Sequence, residues 1–537
     1  MPDWRLHTRR PRGEARAAPP NRDPDVLASV LEDAAHYPGG HAAGLAYPAS
    51  EAEIAQAILS ASSALPIGAQ SSLTGGATPF GDLVVSTSRL NRILEIGDDS
   101  VRVQAGVALS ELDAALDRAG RYYPPAPTYT GAFVGGIVAT NAAGAATFKY
   151  GTTRDWVRAL TVVLPNGEVL DLVRGAARAH VDGFFEIVSA GGSIRVPVPS
   201  YRMPRLPKFS AGYFAAPEMD PIDLWIGSEG TLGVVTEVTL RVLRGKPPMC
   251  LAFVPFADRT SALAFVRKLR KTAQATWAAG DPRGVDVSAV EHMDRRCLSL
   301  LREDGADRAN GVAWPDETSI ALLVTLELPT ETTTAGAFDE IGRVREPHAP
   351  DTPLVRFCRM LDATGVFDDV EIAVPGDPAR AAQLLALREA VPAGVNQRVG
   401  RAKVSIDLRI EKTAADMIVP FERFADVLAL YDAEFARRGL DGAVWGHISD
   451  GNVHPNVIPR SFADVESGKQ AIAIFGKEVI RMGGSPLAEH GVGRNRVKQQ
   501  LLVELFGESG IDEMRAVKRA IDPEWKLAPG VIFPRRD

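Results

Sequence analysis

"PIGAQSSLTGG" (66–76) is the stretch that most constrains the fold, because three glycines and three hydroxyl side chains fall within eleven residues. Glycine lets backbone N–H groups approach a ligand closely, and successive N–H groups form concave sites for anions. Ser71, Ser72 and Thr74 add hydroxyl donors. Because ordinary turns also use glycine, one such loop is weak evidence, and the prediction of a ligand depends on whether the pattern recurs.

The pattern recurs in three further loops, "GAFVGGIVATNAAG" (131–144), "YGTTRD" (150–155) and "IGSEGTLG" (226–233). Together the four loops suit the pyrophosphate of a dinucleotide-type ligand. The segments between them read as short strands and a few helices, including a hairpin around "PNG" (165–167), so the sequence predicts an α+β domain. Neither a Rossmann fingerprint nor a Walker A motif is present.

Length, charge and cysteine content narrow the class of protein. At 537 residues the chain is too long for one simple core, so two or three domains are expected. The net charge of −7 gives no support for a nucleic-acid partner. Cys250, Cys297 and Cys358 include no C-x-x-C pair, which argues against a cysteine-bound iron–sulfur cluster within this chain and against a disulfide framework.

The N-terminal residues 1–25 are rich in Arg and Pro and lack the apolar stretch of a secretory signal. They predict a disordered arm. No run of about 18 apolar residues occurs, so the sequence predicts no membrane span. From about residue 248, helix-period stretches alternate with strands, which indicates a second α+β domain.

"GHISDGNVHPN" (446–456) contains two of the nine histidines, seven positions apart. Its central glycine argues against a helix, and Asp-Gly is a strong signal for a two-residue hairpin turn. With Asp450 and Gly451 at the turn centre, His447 faces His454, with Cβ atoms about 5 Å apart. Two opposed imidazoles suit one metal ion, although a polar hairpin with hydrogen-bonded histidines would give the same pattern.

From about residue 44 to the C-terminus, these motifs resemble the vanillyl-alcohol oxidase/PCMH flavoprotein superfamily. The glycine-rich loops, in this order, are similar to its FAD-binding domain. "GHISDGNVHPN", "AEHGVG" (488–493) and "MRAVKRAIDPEWKLAPGVIF" (514–533) look like its D-2-hydroxyacid dehydrogenase branch. That branch includes D-lactate dehydrogenases, D-2-hydroxyglutarate dehydrogenase and the flavin subunit of glycolate oxidase.

The resemblance implies an α+β fold with a PCMH-type FAD-binding domain (26–247) after the arm (1–25). An α+β cap domain (248–490) follows, and a C-terminal segment (491–537) returns to the FAD domain. The loops lack the histidine or cysteine tether of some relatives, so non-covalent FAD is expected. The FAD-binding residues implied by the resemblance are Gly68, Ala69, Gln70, Ser71, Ser72, Thr74, Gly75, Pro125, Gly135, Gly136, Thr140, Asn141, Gly144, Gly151, Glu229, Gly230 and Gly233.

The resemblance also implies a metal and a base. In metal-dependent members of the branch a Zn²⁺-type ion near the flavin is held by two histidines and a glutamate, and the matching residues are His447, His454 and Glu489. Two imidazoles and a carboxylate form a credible zinc set with an open position, and Mn²⁺ or Fe²⁺ would accept the same ligands. His490 matches the family's general base.

The substrate carboxylate needs a cation. Arg388 and Lys403 match the positions that hold this carboxylate in relatives, and Asn456 matches a polar substrate contact. Without the resemblance, each cation would be interpreted as a solvated surface charge. Pro392 stands where the hydroxyglutarate enzymes place a hydroxyl, which favours a small or hydrophobic acid. "SIDLRI" (405–410) matches a strand of relatives but lacks the proline that often follows it.

The leading hypothesis is FAD-dependent oxidation of a D-lactate-like 2-hydroxyacid to the 2-oxoacid, with hydride transfer to flavin and a metal that activates the hydroxyl. The expected partners are the small substrate and a non-NAD acceptor: quinone, cytochrome, electron-transfer flavoprotein, an iron–sulfur subunit or O₂. Two alternatives are an alkylglycerone-phosphate-synthase-like flavoenzyme and the flavin subunit of a glycolate oxidase-type complex. We expect a cytoplasmic protein, and leave open a homodimer and peripheral membrane attachment.

Overall fold

The computed structural model describes residues 3–15, 18–125, 127 and 129–534. The chain divides into two units. The first unit comprises Met1–Gly144, Gly151–Lys246 and Ser485–Asp537, and the second comprises Ala145–Tyr150 and Pro247–Gly484. Among the helices of the described ranges, none combines the length and apolar character needed to span a bilayer.

Strands and helices are mixed along the whole chain, which confirms the α+β class. The strands are β1 (Arg5–Arg9), β2 (His41–Ala46), β3 (Ala64–Ile67), β4 (Phe80–Ser86), β5 (Ile93–Ile96), β6 (Ser100–Gln104), β7 (Arg121–Tyr122), β8 (Val157–Val163), β9 (Val169–Val173), β10 (Phe184–Ser189), β11 (Gly192–Pro197), β12 (Val234–Arg241), β13 (Leu243–Arg244), β14 (Met249–Phe256), β15 (Val287–Asp294), β16 (Ile320–Glu327), β17 (Glu371–Ala373), β18 (Thr413–Ala414), β19 (Met417–Ile418), β20 (Gly442–Gly446) and β21 (Asn452–Val457). The helices are α1 (Pro24–Ala28), α2 (Glu51–Ser60), α3 (Leu109–Arg118), α4 (Val134–Ala139), α5 (Thr147–Tyr150), α6 (Thr153–Trp156), α7 (Ile222–Trp225), α8 (Arg259–Ala279), α9 (Arg295–Glu303), α10 (Ala306–Ala309), α11 (Thr334–Gly342), α12 (Pro353–Asp362), α13 (Pro378–Ser405), α14 (Phe424–Arg438), α15 (Phe462–Arg481) and α16 (Arg496–Ile521).

The strands described in the first unit form three sheets. The largest has the order β11-β10-β1-β9-β8-β12-β6-β5, a three-stranded parallel sheet has the order β2-β4-β3, and β7 pairs with β13. The predicted hairpin is confirmed, because β8 and β9 pair antiparallel with Val163 opposite Val169. The loop 66–76 begins at the end of the parallel strand β3, which positions it at the carboxyl edge of the small sheet.

The prediction of a disordered arm over residues 1–25 is wrong for β1. This strand lies between β10 and β9 in the large sheet. Leu6 is buried, and the Arg9 guanidinium bonds both Glu51 and Asp171, with a shortest Arg9–Glu51 distance of 2.6 Å. Arginine-rich composition therefore does not prevent order here, because acidic partners from the sheet and from α2 pair with the arginine. Residues 1, 2, 16 and 17 of the predicted arm are outside the described ranges.

The C-terminal segment belongs to the first unit. Leu527 forms a parallel bridge with Ala64 of β3, and the Ala528 N–H donates to the Ala64 carbonyl at 2.8 Å. The returning segment starts at Ser485 rather than at residue 491. The earlier start follows from contacts within the first unit, since Glu489 pairs with Lys208.

The second unit is built on a largely antiparallel sheet with the order β17-β14-β16-β15-β20-β21-β18, and β19 pairs with β21. One buried cluster joins the inner residues of this sheet to helices α9 and α13. The α13 residues of that cluster recur at three- and four-residue spacing, which keeps one face of the helix on the core: Leu384, Leu387, Val391, Val395, Val399 and Ala402.

The expected strand over residues 405–410 is not present, because α13 continues to Ser405 and is followed by a turn. The resemblance implies a strand here, but the buried residues that precede it recur at helical spacing and α13 extends to Ser405. Val404, Ile406 and Leu408 consequently remain exposed. Pro392 lies inside the helix.

Candidate functional site

The first glycine-rich loop is held in place by one of its own side chains. Gln70 has a left-handed φ of +50°, and its amide Nε2 donates to the carbonyls of Val30 and Ala77, both at 2.9 Å. Gly75 has a φ of +74°, and an added Cβ would lie 2.6 Å from the Tyr37 ring. Gln70 and Gly75 therefore serve the loop's own conformation, while the neighbouring backbone and hydroxyl groups are the ones that can serve a ligand.

The second loop contains adjacent glycines with different surroundings. A Cβ on Gly135 would lie 2.7 Å from the Ala105 Cβ, whereas a Cβ on Gly136 would meet no heavy atom within 4 Å. Gly135 therefore permits packing of α4 on β6, and Gly136 faces open space. Asn141, with a φ of +49°, closes the loop by donating to the Phe209 carbonyl at 3.0 Å and accepting from the Arg154 N–H at 2.9 Å.

The third and fourth loops use glycine mainly for close packing. A Cβ on Gly151 would lie 2.3 Å from an Asp155 carboxylate oxygen, and one on Gly233 would lie 2.4 Å from Val162. Gly230 has a φ of +72°, which favours glycine. All the predicted FAD-binding residues are in the first unit, and Gly68, Ala69, Ser71, Ser72, Thr74, Pro125, Thr140 and Gly144 lie in or beside the same loops.

Glu229 joins the fourth loop to the C-terminal segment. Its two carboxylate oxygens accept the N–H groups of Val492 and Gly493, both at 2.8 Å. Although part of the residue remains exposed, burial of the carboxyl raises the pKa of Glu229 to about 7, against the lowering effect of these two N–H groups and of Lys498. Glu229 therefore fixes the "GVG" turn (491–493). It also lies in the fourth glycine-rich loop, which is one of the predicted cofactor loops.

Glu489 and His490 are also in the first unit. The Glu489 carboxylate is buried and accepts a hydrogen bond from the fully buried Lys208 Nζ. The His490 Nε2 atom lies 3.9 Å from the other Glu489 oxygen, and about a third of the His490 side chain is exposed. Lys208 was not identified from the sequence, although a lone lysine in the apolar stretch "RLPKFSAGYF" (205–214) is a usable signal for a buried pair.

The hairpin that carries His447 and His454 differs from the prediction. Strands β20 and β21 place Trp445, not His447, opposite His454, and residues 447–451 form the connection. The longer turn is closed by hydrogen bonds from the Asp450 and Asn452 N–H groups to the His447 carbonyl, at 3.2 and 3.1 Å. The prediction of a two-residue turn was therefore wrong.

The turn nevertheless brings the two imidazoles together. The ring centroids of His447 and His454 are 5.7 Å apart and the rings are nearly perpendicular, at 88°. Both residues are buried. Two imidazoles bound to one zinc at about 2.0–2.1 Å would have centroids roughly 5 Å apart at a tetrahedral angle, so the observed spacing is compatible with a shared ion.

One face of β21 is polar although the strand is buried. Asn452, His454 and Asn456 alternate along it and therefore point to the same side. The Asn456 amide Nδ2 donates to the His454 carbonyl at 2.9 Å, while its Oδ1 atom is buried and has no hydrogen-bond partner among the described residues. Because buried polar atoms are normally paired, this oxygen is available to a polar ligand.

A third histidine of the second unit lies on the strand that pairs with β20 and was not identified by the sequence analysis. His292 of β15 is buried opposite Gly446, and its Nδ1 atom is 3.2 Å from the Gly446 carbonyl. Burial lowers the pKa of His292 to about 4, so its imidazole is neutral at neutral pH. Its place in an apolar strand gave no sequence signal that distinguishes it from a core residue.

The two predicted carboxylate-binding cations do not converge. Arg388 and Lys403 are fifteen residues apart on the continuous helix α13, which corresponds to roughly 22 Å along the axis. Arg388 is largely buried and donates to Glu291 through Nε and to Glu389 through Nη1. Burial lowers the pKa of Arg388, and the charges of Glu291 and Glu389 raise it by more, so that the guanidinium stays charged.

Comparison with protein-family models matches both parts of the chain. The model described as "FAD binding domain" matches residues 42–172, and the model described as "FAD linked oxidases, C-terminal domain" matches residues 256–532. The second match covers slightly more than half of the chain.

Several curated proteins are similar over most of their length. A D-lactate dehydrogenase of Anaerostipes hadrus is 28% identical over 87% of this chain and 83% of its own. A D-2-hydroxyglutarate dehydrogenase of Xanthomonas citri is 30% identical over 88% of this chain and 84% of its own. An uncharacterized FAD-linked oxidoreductase of Mycobacterium tuberculosis is 30% identical over 94% and 95%.

Among solved structures, an alkyldihydroxyacetonephosphate synthase matches 99% of this chain and 90% of its own with a TM-score of 0.59. At 14% identity this likeness shows the fold and carries no argument about the reaction.

Proposed function

The chain belongs to the FAD-linked oxidase family and is an FAD-linked oxidoreductase, and on that premise we propose that it oxidises a D-2-hydroxyacid to the 2-oxoacid. The proposed substrate is a small, D-lactate-like acid. The observation that carries the proposal is the buried histidine pair of the second unit, one member of which lies on a polar strand face, in a chain that also has an FAD-binding domain.

The glycine-rich loops fit FAD. The open space at Gly136 leaves backbone accessible in the second loop, and Ser71, Ser72 and Thr74 of the first loop offer hydroxyl groups to a pyrophosphate. The residues Gly68–Gly75 and Gly135–Asn141 are the ones we propose to hold it. When bound, FAD supplies the acceptor for the electron pair of the substrate Cα–H bond.

The donor set fits a Zn²⁺-type ion. His447 and His454 offer imidazole nitrogens, and Glu489 offers a buried carboxylate, which is the composition of a catalytic zinc site with one open position. Mn²⁺ or Fe²⁺ would accept the same ligands. When bound, the metal lowers the pKa of a coordinated hydroxyl and so favours loss of its proton.

The chain's own residues would then position the substrate and take its proton. We assign His490 as the base that accepts the hydroxyl proton, because its imidazole is accessible and adjacent to Glu489. Asn456 offers its Oδ1 atom to the substrate. Arg388 is the proposed partner of the carboxylate, and Lys403, roughly 22 Å further along α13, would not share the same group with it.

Anaerobic titration of the purified flavoprotein tests the proposal. D-lactate, D-2-hydroxyglutarate, glycolate and the L-forms are added separately while the flavin absorbance is recorded. Bleaching by one D-acid, lost after treatment with a chelator and restored by zinc, is the expected result. A flavin spectrum that none of these acids bleaches would contradict the proposed reaction.

We propose that the electrons leave to an acceptor other than NAD. Steady-state assays with a quinone analogue, cytochrome c, electron-transfer flavoprotein and O₂, each with the D-acid that bleaches the flavin, would identify it. Equal turnover with NAD would contradict this part of the proposal.

A further inference from the structure

Each histidine of the pair in the second unit has a carboxylate behind its Nδ1 atom. The Asp416 Oδ1 atom lies 3.5 Å from His454 Nδ1, and the Glu291 Oε2 atom lies 3.8 Å from His447 Nδ1. Asp416 lies between β18 and β19, whereas Glu291 belongs to β15. Two distant parts of the chain therefore supply equivalent groups to two neighbouring rings.

Both carboxylates are themselves fixed by donors. Asp416 is almost completely buried, and its Oδ1 atom accepts a hydrogen bond from Asn452 Nδ2 at 2.8 Å. Asn452 also donates to the Met417 carbonyl at 3.0 Å. Glu291 accepts a hydrogen bond from Arg388. Because the acids are held by these donors, they can hold the imidazoles in turn.

A carboxylate near Nδ1 favours the imidazole tautomer with its proton on Nδ1, which leaves the lone pair of Nε2 available as a ligand. The same arrangement restricts rotation of the ring and makes the nitrogen more basic. We infer that Asp416 and Glu291 are positioning residues that orient His454 and His447 for metal binding. This inference rests on the metal of the proposed function.

The simpler alternative is that these acids only stabilise the fold. Asp416 would then serve to hold the "DGN" turn through Asn452, and Glu291 would serve to neutralise Arg388. The two possibilities differ in metal affinity, since a purely structural acid affects unfolding but not the binding of an ion to the folded protein.

The test is metal binding by the FAD-loaded protein, measured with Co²⁺ and Zn²⁺ in competition with a chromophoric chelator. Asp416→Asn retains the size of the side chain and an acceptor for Asn452 while it removes the charge. We expect a 10- to 100-fold weaker affinity in this variant and a changed Co²⁺ visible spectrum. A variant affinity within twofold of the wild type would overturn the assignment of Asp416.

Asp294→Asn is the matched control. Asp294 is also a carboxylate of the second unit, but it accepts the N–H groups of Cys297 and Val444, both at 2.8 Å, and no imidazole. We expect its substitution to lower the unfolding temperature and leave the metal affinity unchanged. An equal loss of affinity in Asp294→Asn and Asp416→Asn would show a general effect of lost stability and would contradict the inference.

Glu291→Gln repeats the test at His447 if Asp416→Asn does not fold. The same 10- to 100-fold loss of affinity is expected, and an unchanged affinity would overturn the assignment of Glu291. Wild-type protein that binds neither Co²⁺ nor Zn²⁺ would instead contradict the metal of the proposed function. If only the inference fails, wild type and variant will bind the metal equally well. That outcome differs from failure of the proposed function, in which the wild type binds no metal.

Discussion

Lys208 and Glu489 form a buried ion pair within the first unit, although 281 positions separate them in the sequence. The pair puts a positive charge next to the carboxylate that we propose as a metal ligand. A buried carboxylate that loses its cation is costly, typically by several kcal/mol. Lys208 therefore stabilises the folded protein against the cost of burying the Glu489 carboxylate when no metal is bound.

We expect Lys208→Met to lower the unfolding free energy of the chelator-treated protein by about 3–5 kcal/mol, because the buried Glu489 carboxylate loses this cation. Zinc should restore part of the loss, since the ion would replace the missing positive charge. Urea unfolding followed by circular dichroism, with and without zinc, measures both effects.

The double variant Lys208→Met/Glu489→Gln is the control for this experiment. It removes both charges, so its loss of stability should be smaller than that of Lys208→Met, and zinc should have no effect on it. If Lys208→Met is as stable as the wild type in the presence of chelator, the ion pair contributes nothing to folding.

Stability should depend on pH through Glu229. Burial raises the pKa of Glu229 to about 7, whereas the ordinary value is 4.5. The folded state therefore disfavours the ionised form, so this contribution to stability is complete below pH 4.5 and is lost progressively as the pH rises to about 7. The loss amounts to at most about 3 kcal/mol.

Urea unfolding between pH 4.5 and pH 8, for the wild type and for Glu229→Gln, tests this sign. The difference in unfolding free energy between the two proteins should shift in favour of the glutamine variant as the pH rises. A difference that is independent of pH would show that Glu229 has the same pKa in the folded and unfolded states.

The parts of the molecule that the sequence predicted are those in which the residues concerned are neighbours in the chain. The glycine-rich loops and the hairpin at 165–167 depend on local conformation. The proximity of His447 and His454 was also anticipated, but the wrong turn was assigned, since the turn is set by contacts beyond the hairpin. A Cβ on Gly451, for example, would lie 2.0 Å from the Val419 carbonyl.

The features that were not predicted depend on residues far apart in the sequence. Asp416 and Glu291 have no local pattern that marks them, and the apolar surroundings of Lys208 indicate burial but not its partner; each acquires its role only when the sheet or the returning segment brings that partner near. The match of Arg388 and Lys403 to relatives implied that both hold the substrate carboxylate, whereas buried residues at helical spacing continue α13 between them and keep them apart.

The adjacent glycines of the second loop provide a matched pair of substitutions. Gly135→Ala should destabilise the apoprotein by about 1–3 kcal/mol, because the new methyl group would overlap Ala105. Gly136→Ala should leave the apoprotein at least as stable, since nothing lies within 4 Å and alanine favours the helix, but should weaken FAD binding. Urea unfolding of the apoproteins and titration of FAD by fluorescence separate the two effects. Undiminished FAD affinity in Gly136→Ala would remove this backbone from the proposed cofactor site.

His490→Ala should lower turnover of the D-acid by about 100- to 10,000-fold while FAD remains bound, because the variant has no imidazole to accept the hydroxyl proton. His180→Ala is a matched control in the same unit, since the His180 and His490 side chains are exposed to similar extents, 29% and 32%. Its turnover should equal that of the wild type. Steady-state rates are compared at equal flavin content, measured from the visible spectrum. Full activity of His490→Ala would show that His490 is not the base and that another group accepts the hydroxyl proton.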